Sequence, residues 1–199
     1  HDAFGDVHII VSTVGSREHA QFADMTLDLW RKVVGTKLEA AFLLSQAVLP
    51  DMVRNGWGRI IYISGIDAFW GKTGKAALTA ANLGLVGLAR SVAVEYAMNG
   101  VTVNTVVPGA MNTTRKHSAT YYPGYAERMG DLYRRIPMGR PGEAQELAEV
   151  VTFLASPGAS YVTAQTIHVN GGVFPTSADP FAAPTFPYGA EVVIPTEEP

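Results

Sequence analysis

The chain has 199 residues, 47% hydrophobic and 17% charged, enough for one ordinary core and too apolar for a disordered segment. A net charge of −3, with Lys and Arg scattered singly, gives no basic field, so neither nucleic acid nor an anionic membrane surface is an expected partner. The absence of cysteine excludes disulfides and thiolate chemistry and suits a reducing, cytoplasmic setting, and five histidines without HxxxH or HExxH spacing lead us to expect no metal site.

The first run, VHIIVSTVG (7–15), is short, apolar and β-branched and ends at Gly15, which predicts a strand buried on both faces. A helix is predicted from an N-cap at Thr26, with Asp28 in its first turn, to about Met52. Trp30, Val33, Val34, Leu38, Ala41, Val48 and Met52 form its apolar stripe. Lys37 falls inside that stripe, so it either snorkels to the rim or points into a pocket where burial lowers its pKa.

GRIIYIS (58–64) predicts a second buried strand, followed by a loop and a helix over about 75–97. That helix has few charges beyond Lys75, Arg90 and Glu95, so several of its faces need cover. Gly84 and Gly87 permit close helix contact, and a second subunit is the expected cover for the face that the sheet leaves bare. GVTVNTVVPG (100–109) and QTIHVNGG (165–172) predict two more buried strands.

Residues 112–140 mix a short helix (about 124–135) with Pro and Gly, as an active-site lid or a plain insertion does. EAQELAEVVTFLAS (143–156) predicts an amphipathic helix, and the tail from 175 to 199, which holds half of the twelve prolines, predicts an extended arm. Strand and helix alternate at a spacing that implies right-handed crossovers: an α/β fold with a parallel sheet over residues 1–174. No apolar run reaches the roughly 18 residues of a spanning helix, and no signal-peptide pattern opens the chain.

These landmarks resemble, in order and spacing, the short-chain dehydrogenase/reductase superfamily. FGDVHIIVSTVG resembles its strand and NNAG turn, LDLWRKVVGTKLEAAFLLSQAVLPDM its long interface helix, and LTAANLGLVGLARSVAVEYAMNGVTVNTVVPGAMNT its catalytic helix and following strand. The resemblance implies a Rossmann-like doubly wound sheet, NAD or NADP as cofactor, redox chemistry on a small alcohol or carbonyl, and a dimer or tetramer through helices 26–52 and 75–97. It places the family's catalytic tyrosine, lysine, serine and asparagine at Leu78, Asn82, Gly65 and Lys37, with Ser64 beside the serine position. It assigns the nicotinamide side to Gly15, Pro108, Gly109, Met111 and Thr113, and the substrate pocket to Tyr121 and Tyr122.

The family's opening βαβαβ half, with its TGxxxGxG turn, has no counterpart in these residues, which leaves HIIVS as an edge strand. The expectation is that further residues precede His1, that another chain covers the edge, or that the strand repacks. Three functions stay open: a family oxidoreductase, an inactive pseudoenzyme or scaffold, and a non-redox lyase, isomerase or cyclase. In the last, Lys37, Asp67, Lys72, Tyr121 and Tyr122 would border the old pocket.

Overall fold

The computed structural model describes residues 5–16, 18–113 and 136–174. The described strands are β1 (Ile9–Ser12), β2 (Gly58–Ile63), β3 (Val101–Pro108), β4 (Met111–Asn112), β5 (Gly142–Glu143) and β6 (Thr166–Val169). Four of them form one sheet in the order β1-β2-β3-β6, and β4 and β5 form a separate parallel pair. β1 pairs in parallel with β2, Ile10 opposite Ile60, and β2 with β3, Ile61 opposite Asn104.

Helices carry the crossovers: α1 (Leu27–Val34) and α2 (Ala40–Arg54) between β1 and β2, the short α3 (Asp67–Trp70) and α4 (Ala76–Tyr96) between β2 and β3, and α5 (Ala144–Ala155) before β6. The predicted α/β class with a parallel sheet is what the structure has. Of the described residues, those up to 108 with 148–168 form one compact unit, and those within 109–147 with those from 169 onward a second.

The core of the first unit lies where α2 and α4 meet the sheet. Ala41, Leu49 and Met52 of α2, Ile60 and Tyr62 of β2, Leu85 and Ala89 of α4, and Val101 and Val103 of β3 form one buried cluster. β2 and β3 match the prediction of strands buried on both faces. β1 does not: Ile9 and Val11 are exposed while Ser12 is buried. It has a single strand neighbour in the described sheet, so its apolar run is half covered.

The first helix begins where predicted, the Leu29 backbone N–H donating to Thr26 Oγ1 at 3.2 Å. Such a cap satisfies one of the donors that a helix N-terminus leaves free, so Thr26→Ala is expected to lower stability by about 1 kcal/mol. A urea midpoint unchanged by that substitution would show that the cap contributes nothing. What the pattern did not predict is the interruption between α1 and α2, a π-helical turn over Gly35–Glu39. A π turn inserts an extra residue into the helical ladder and re-aims the side chains it carries.

Leu27–Arg54 and Ala76–Asn99 are, by length and hydropathy alone, long and apolar enough to cross a bilayer, which corrects the expectation that no such segment exists. In the fold, residues of both helices enter the core of the α/β layer. α4 also finds part of its expected second cover within its own chain: a Cβ on Gly84 would stand 2.7 Å from Leu38 Cδ2, so a larger residue there would push the Leu38 side chain aside. A Cβ on Gly87 would meet nothing within 4 Å. Leu83 and Val94 of α4 and Phe42, Leu43 and Leu44 of α2 remain exposed.

Candidate functional site

In a parallel sheet with crossover helices, ligands gather at the C-terminal ends of the strands, where loops converge and helix ends point inward. Here those ends are Ser12 of β1 and Ile63 of β2. The π turn swings Lys37 towards them: it is 7% exposed, and its Nζ donates to the Ile63 backbone carbonyl at 2.7 Å. A lysine that snorkelled to the rim would leave that carbonyl alone, so the inward alternative holds. Burial among neutral groups disfavours the ammonium and pulls its pKa from 10.5 to about 8.

Gly15, past the end of β1, lies against this side chain. A Cβ there would sit 3.3 Å from Lys37 Cδ and 3.5 Å from Nζ. The glycine of the turn therefore makes room for the lysine.

The next two residues of the β2 end reach α4. Ser64 Oγ donates to the Asn82 backbone carbonyl at 3.0 Å, so its proton is engaged in tying the loop to the helix. At Gly65 a Cβ would stand 3.0 Å from Asn82 Nδ2. A serine at that position would press on the Asn82 amide.

Asn82 is 4% exposed, and its Oδ1 is buried with no partner among the described residues. Such an acceptor costs free energy unless a donor reaches it. Leu78 stands four residues before Asn82 on α4, which places both side chains on one helix face. The structure thus gathers Gly15, Lys37, Ser64, Gly65 and Asn82 around the ends of β1 and β2.

Asp67 and Lys72, weighed as border residues, form an ion pair at 4.0 Å with the lysine side chain well exposed. This is the solvated arrangement expected of loop charges, worth little to stability.

Of the nicotinamide-side candidates, Pro108 ends β3. Gly109, Met111 and Thr113 belong to the second unit. There the Gly109 N–H donates to the Val169 carbonyl at 2.9 Å, and a Cβ on Gly109 would fall 2.7 Å from Asn170 Cβ. Close approach of that backbone, rather than a sharp exit from the strand, is what requires glycine. Met111 pairs with Gly142 across β4 and β5, and Thr113 is exposed. Tyr121, Tyr122 and the predicted helix over 124–135 lie outside the described residues.

Sequence reasoning passed over one residue of chemical interest. Arg59 sits inside the apolar run of β2 and is 2% exposed. A lone arginine in an otherwise apolar strand is itself the signal that could have found it, since arginine is almost never fully buried unless paired.

Among known proteins, residues 1–174 match the family model described as enoyl-(acyl carrier protein) reductase. The 3-oxoacyl-[acyl-carrier-protein] reductase FabG of Salmonella typhimurium is 38% identical over 171 residues, 86% of this chain and 68% of the relative. FabG of Escherichia coli K12 is 37% identical over 171 residues, with the same shares covered. Among solved structures, the TT0495 protein of Thermus thermophilus superposes with a TM-score of 0.77 at 33% identity, over 86% of this chain and 71% of that one.

Proposed function

The chain belongs to the short-chain dehydrogenase/reductase family, and from that membership we propose an oxidoreductase-like protein that keeps the family's cleft but does not run its tyrosine–lysine proton transfer. The observation that carries this reading is the pair Leu78 and Asn82 on one face of α4. In the family, a tyrosine at the first position gives a proton to the substrate oxygen, and a lysine at the second lowers that tyrosine's pKa. Leucine has no proton to give, and losing a positioned acid costs about 10²–10⁴ in rate.

The family implies NAD or NADP, and the residues at hand fit that cofactor poorly. The unpartnered Asn82 Oδ1 can accept one hydrogen bond from a hydroxyl. It supplies no positive charge, and Leu78 offers no phenol for such a charge to act on. Residues 1–199 contain no TGxxxGxG turn to hold a pyrophosphate. We therefore assign no hydride step to these residues.

The test is an assay of the purified chain with NADH or NADPH and a 3-oxoacyl thioester, followed at the nicotinamide absorbance. The expected result is no turnover above the uncatalysed background. Turnover at the pace of an ordinary reductase, roughly 1–10³ per second, would overturn the reading.

One observation favours a second reading, a non-redox reaction on a small-molecule substrate. The Lys37 amine stands buried at the end of β2 with a pKa of about 8, so near neutral pH a useful fraction is the free base. Such an amine can abstract a proton or attack a carbonyl carbon. On that reading Lys37→Ala abolishes a product that forms without nicotinamide, and full activity in the variant removes Lys37 from the chemistry.

We further propose that the exposed apolar residues of the two long helices, Phe42, Leu43, Leu83 and Val94 among them, are covered by a second copy in a dimer or tetramer. The cysteine-free composition suits a reducing compartment, and we place the protein in the cytoplasm.

A further inference from the structure

At the opposite end of the sheet from Lys37, where β2 and β3 begin, the first unit holds a cavity of about 670 Å³. Its walls include Trp57, Arg59, Thr102, Pro157, Ser160 and Tyr161, and among the described residues no acidic side chain lines it.

Arg59 is the unusual member. Its guanidinium is buried, yet all of its described partners are neutral. Nη1 donates to the carbonyls of Gly58 at 2.8 Å and Gly100 at 3.3 Å, and Nε to the carbonyl of Ser156 at 3.4 Å. Cζ lies 4.6 Å from the centre of the Trp57 ring, a cation–π contact that offsets part of the cost of burial. No carboxylate pairs with it among the described residues, and Nη2 makes no hydrogen bond there.

Carbonyl dipoles and a ring face stabilise a cation less well than an anion does, and a buried charge without a counter-ion is costly. Thr102 is 6% exposed, and its Oγ1 is buried without a partner among the described residues. The Thr102 hydroxyl oxygen is thus closed off behind the wall, and the group that the cavity wall leaves uncompensated is the Arg59 cation.

The volume says how large a ligand to expect. Pockets of roughly 300–1,000 Å³ take organic molecules, and a bare inorganic ion would leave most of this one empty. The remaining wall, with Trp57, Val101, Pro157 and Tyr161, suits an apolar or aromatic body.

We propose that this cavity binds a small organic oxyanion, a carboxylate or a phosphate monoester, through the Arg59 guanidinium, with its apolar body against Trp57 and Pro157. The site is separate from the cleft at the other strand ends and does not depend on whether that cleft catalyses anything.

The test is calorimetric titration of the full chain with phenyl phosphate and with benzoate, and with benzyl alcohol as a neutral probe of similar body. One-site saturable binding of at least one anion is expected, weaker at high salt because the attraction is screened. Whichever anion binds more tightly fixes the head group as phosphate or carboxylate.

Arg59→Gln is expected to weaken binding at least about tenfold, as truncation of a buried charged partner does. Because that substitution alters the core, an exposed one stands beside it. Ser160→Glu puts a carboxylate on the cavity rim and is expected to abolish anion binding with the melting temperature unchanged, whereas Ser160→Gln retains it. The proposal is overturned if neither anion saturates at millimolar concentration, if benzyl alcohol binds as well as the anions, or if Ser160→Glu binds as tightly as the parent.

Discussion

If proton transfer, and not cofactor binding, is what the chain lacks, restoring the family's residues, Leu78→Tyr and Asn82→Lys together in a Lys37→Asn background, is expected to lift nicotinamide-linked reduction of a 3-oxoacyl thioester about 10²–10⁴ above the background shown by the parent chain. The third change is needed for an electrostatic reason. Lys37 already brings one amine to the end of β2, held on the Ile63 carbonyl. A lysine at position 82 would enter from α4, beside Gly65 in the same strand end, and two amines in one desolvated place depress each other's pKa values. One of the two would then give up its proton, and the remaining charge would be shared between two sites in place of standing beside a new tyrosine.

Leu78 is half-buried, so a phenol there needs little new space, and position 82 already faces the strand end. The measurements are nicotinamide oxidation and, separately, nicotinamide binding by calorimetry. A folded triple variant that binds nicotinamide and stays silent would place the defect away from these positions. One that does not bind nicotinamide would place the limit at cofactor binding and leave the two positions on α4 secondary.

The fold was legible because its signals are periodic and redundant. The runs of β2 and β3 read as doubly buried strands, and both occupy the middle of the described sheet. The cap at Thr26 is a local interaction of one hydroxyl with an N–H three residues on, so local sequence suffices to predict it. β1 misled because an apolar run reports what a strand can bury, while its actual burial depends on neighbours that the run does not name.

The candidate site was legible by position and much less by environment. Spacing alone put Leu78 and Asn82 on one face. That Lys37 turns inward depends on a π turn over Gly35–Glu39, and no simple periodicity encodes such a turn. That Ser64 is held by the Asn82 carbonyl depends on a tertiary contact across 18 residues. Arg59 went unremarked because its meaning lies in what surrounds it, a set of carbonyls and a ring in place of a carboxylate.

Lys37→Met is expected to stabilise the protein near neutral pH and to change how its stability varies with pH. In the native state burial lowers the amine's pKa to about 8, against 10.5 when the chain is unfolded. Below pH 8 both states hold the proton, and the native state carries the full desolvation cost, on the order of 3 kcal/mol for a shift of this size. Between pH 8 and 10.5 the native chain has released a proton that the unfolded chain keeps, so stability rises with pH across that window. Above it both forms are neutral and the cost is gone.

Methionine has similar length and no charge, so it removes the cost at every pH. It also leaves the Ile63 carbonyl without its donor, a loss of about 1–2 kcal/mol if no water replaces the amine. The net gain at pH 7 is therefore about 1–2 kcal/mol, read from denaturant midpoints. The advantage of the variant over the parent should fall steadily from pH 8 to 10.5 and reverse sign within that window, because only the lost hydrogen bond to Ile63 then remains, and the subtraction cancels every group the two proteins share. A difference that stays flat across the window would mean that Lys37 keeps its ordinary pKa in the fold. A lysine so kept could not act as a base near neutral pH, and the non-redox reading would fall with it. A difference that reverses as expected identifies a side chain that weakens the fold at the pH where a cell would use it, as groups positioned for chemistry often do.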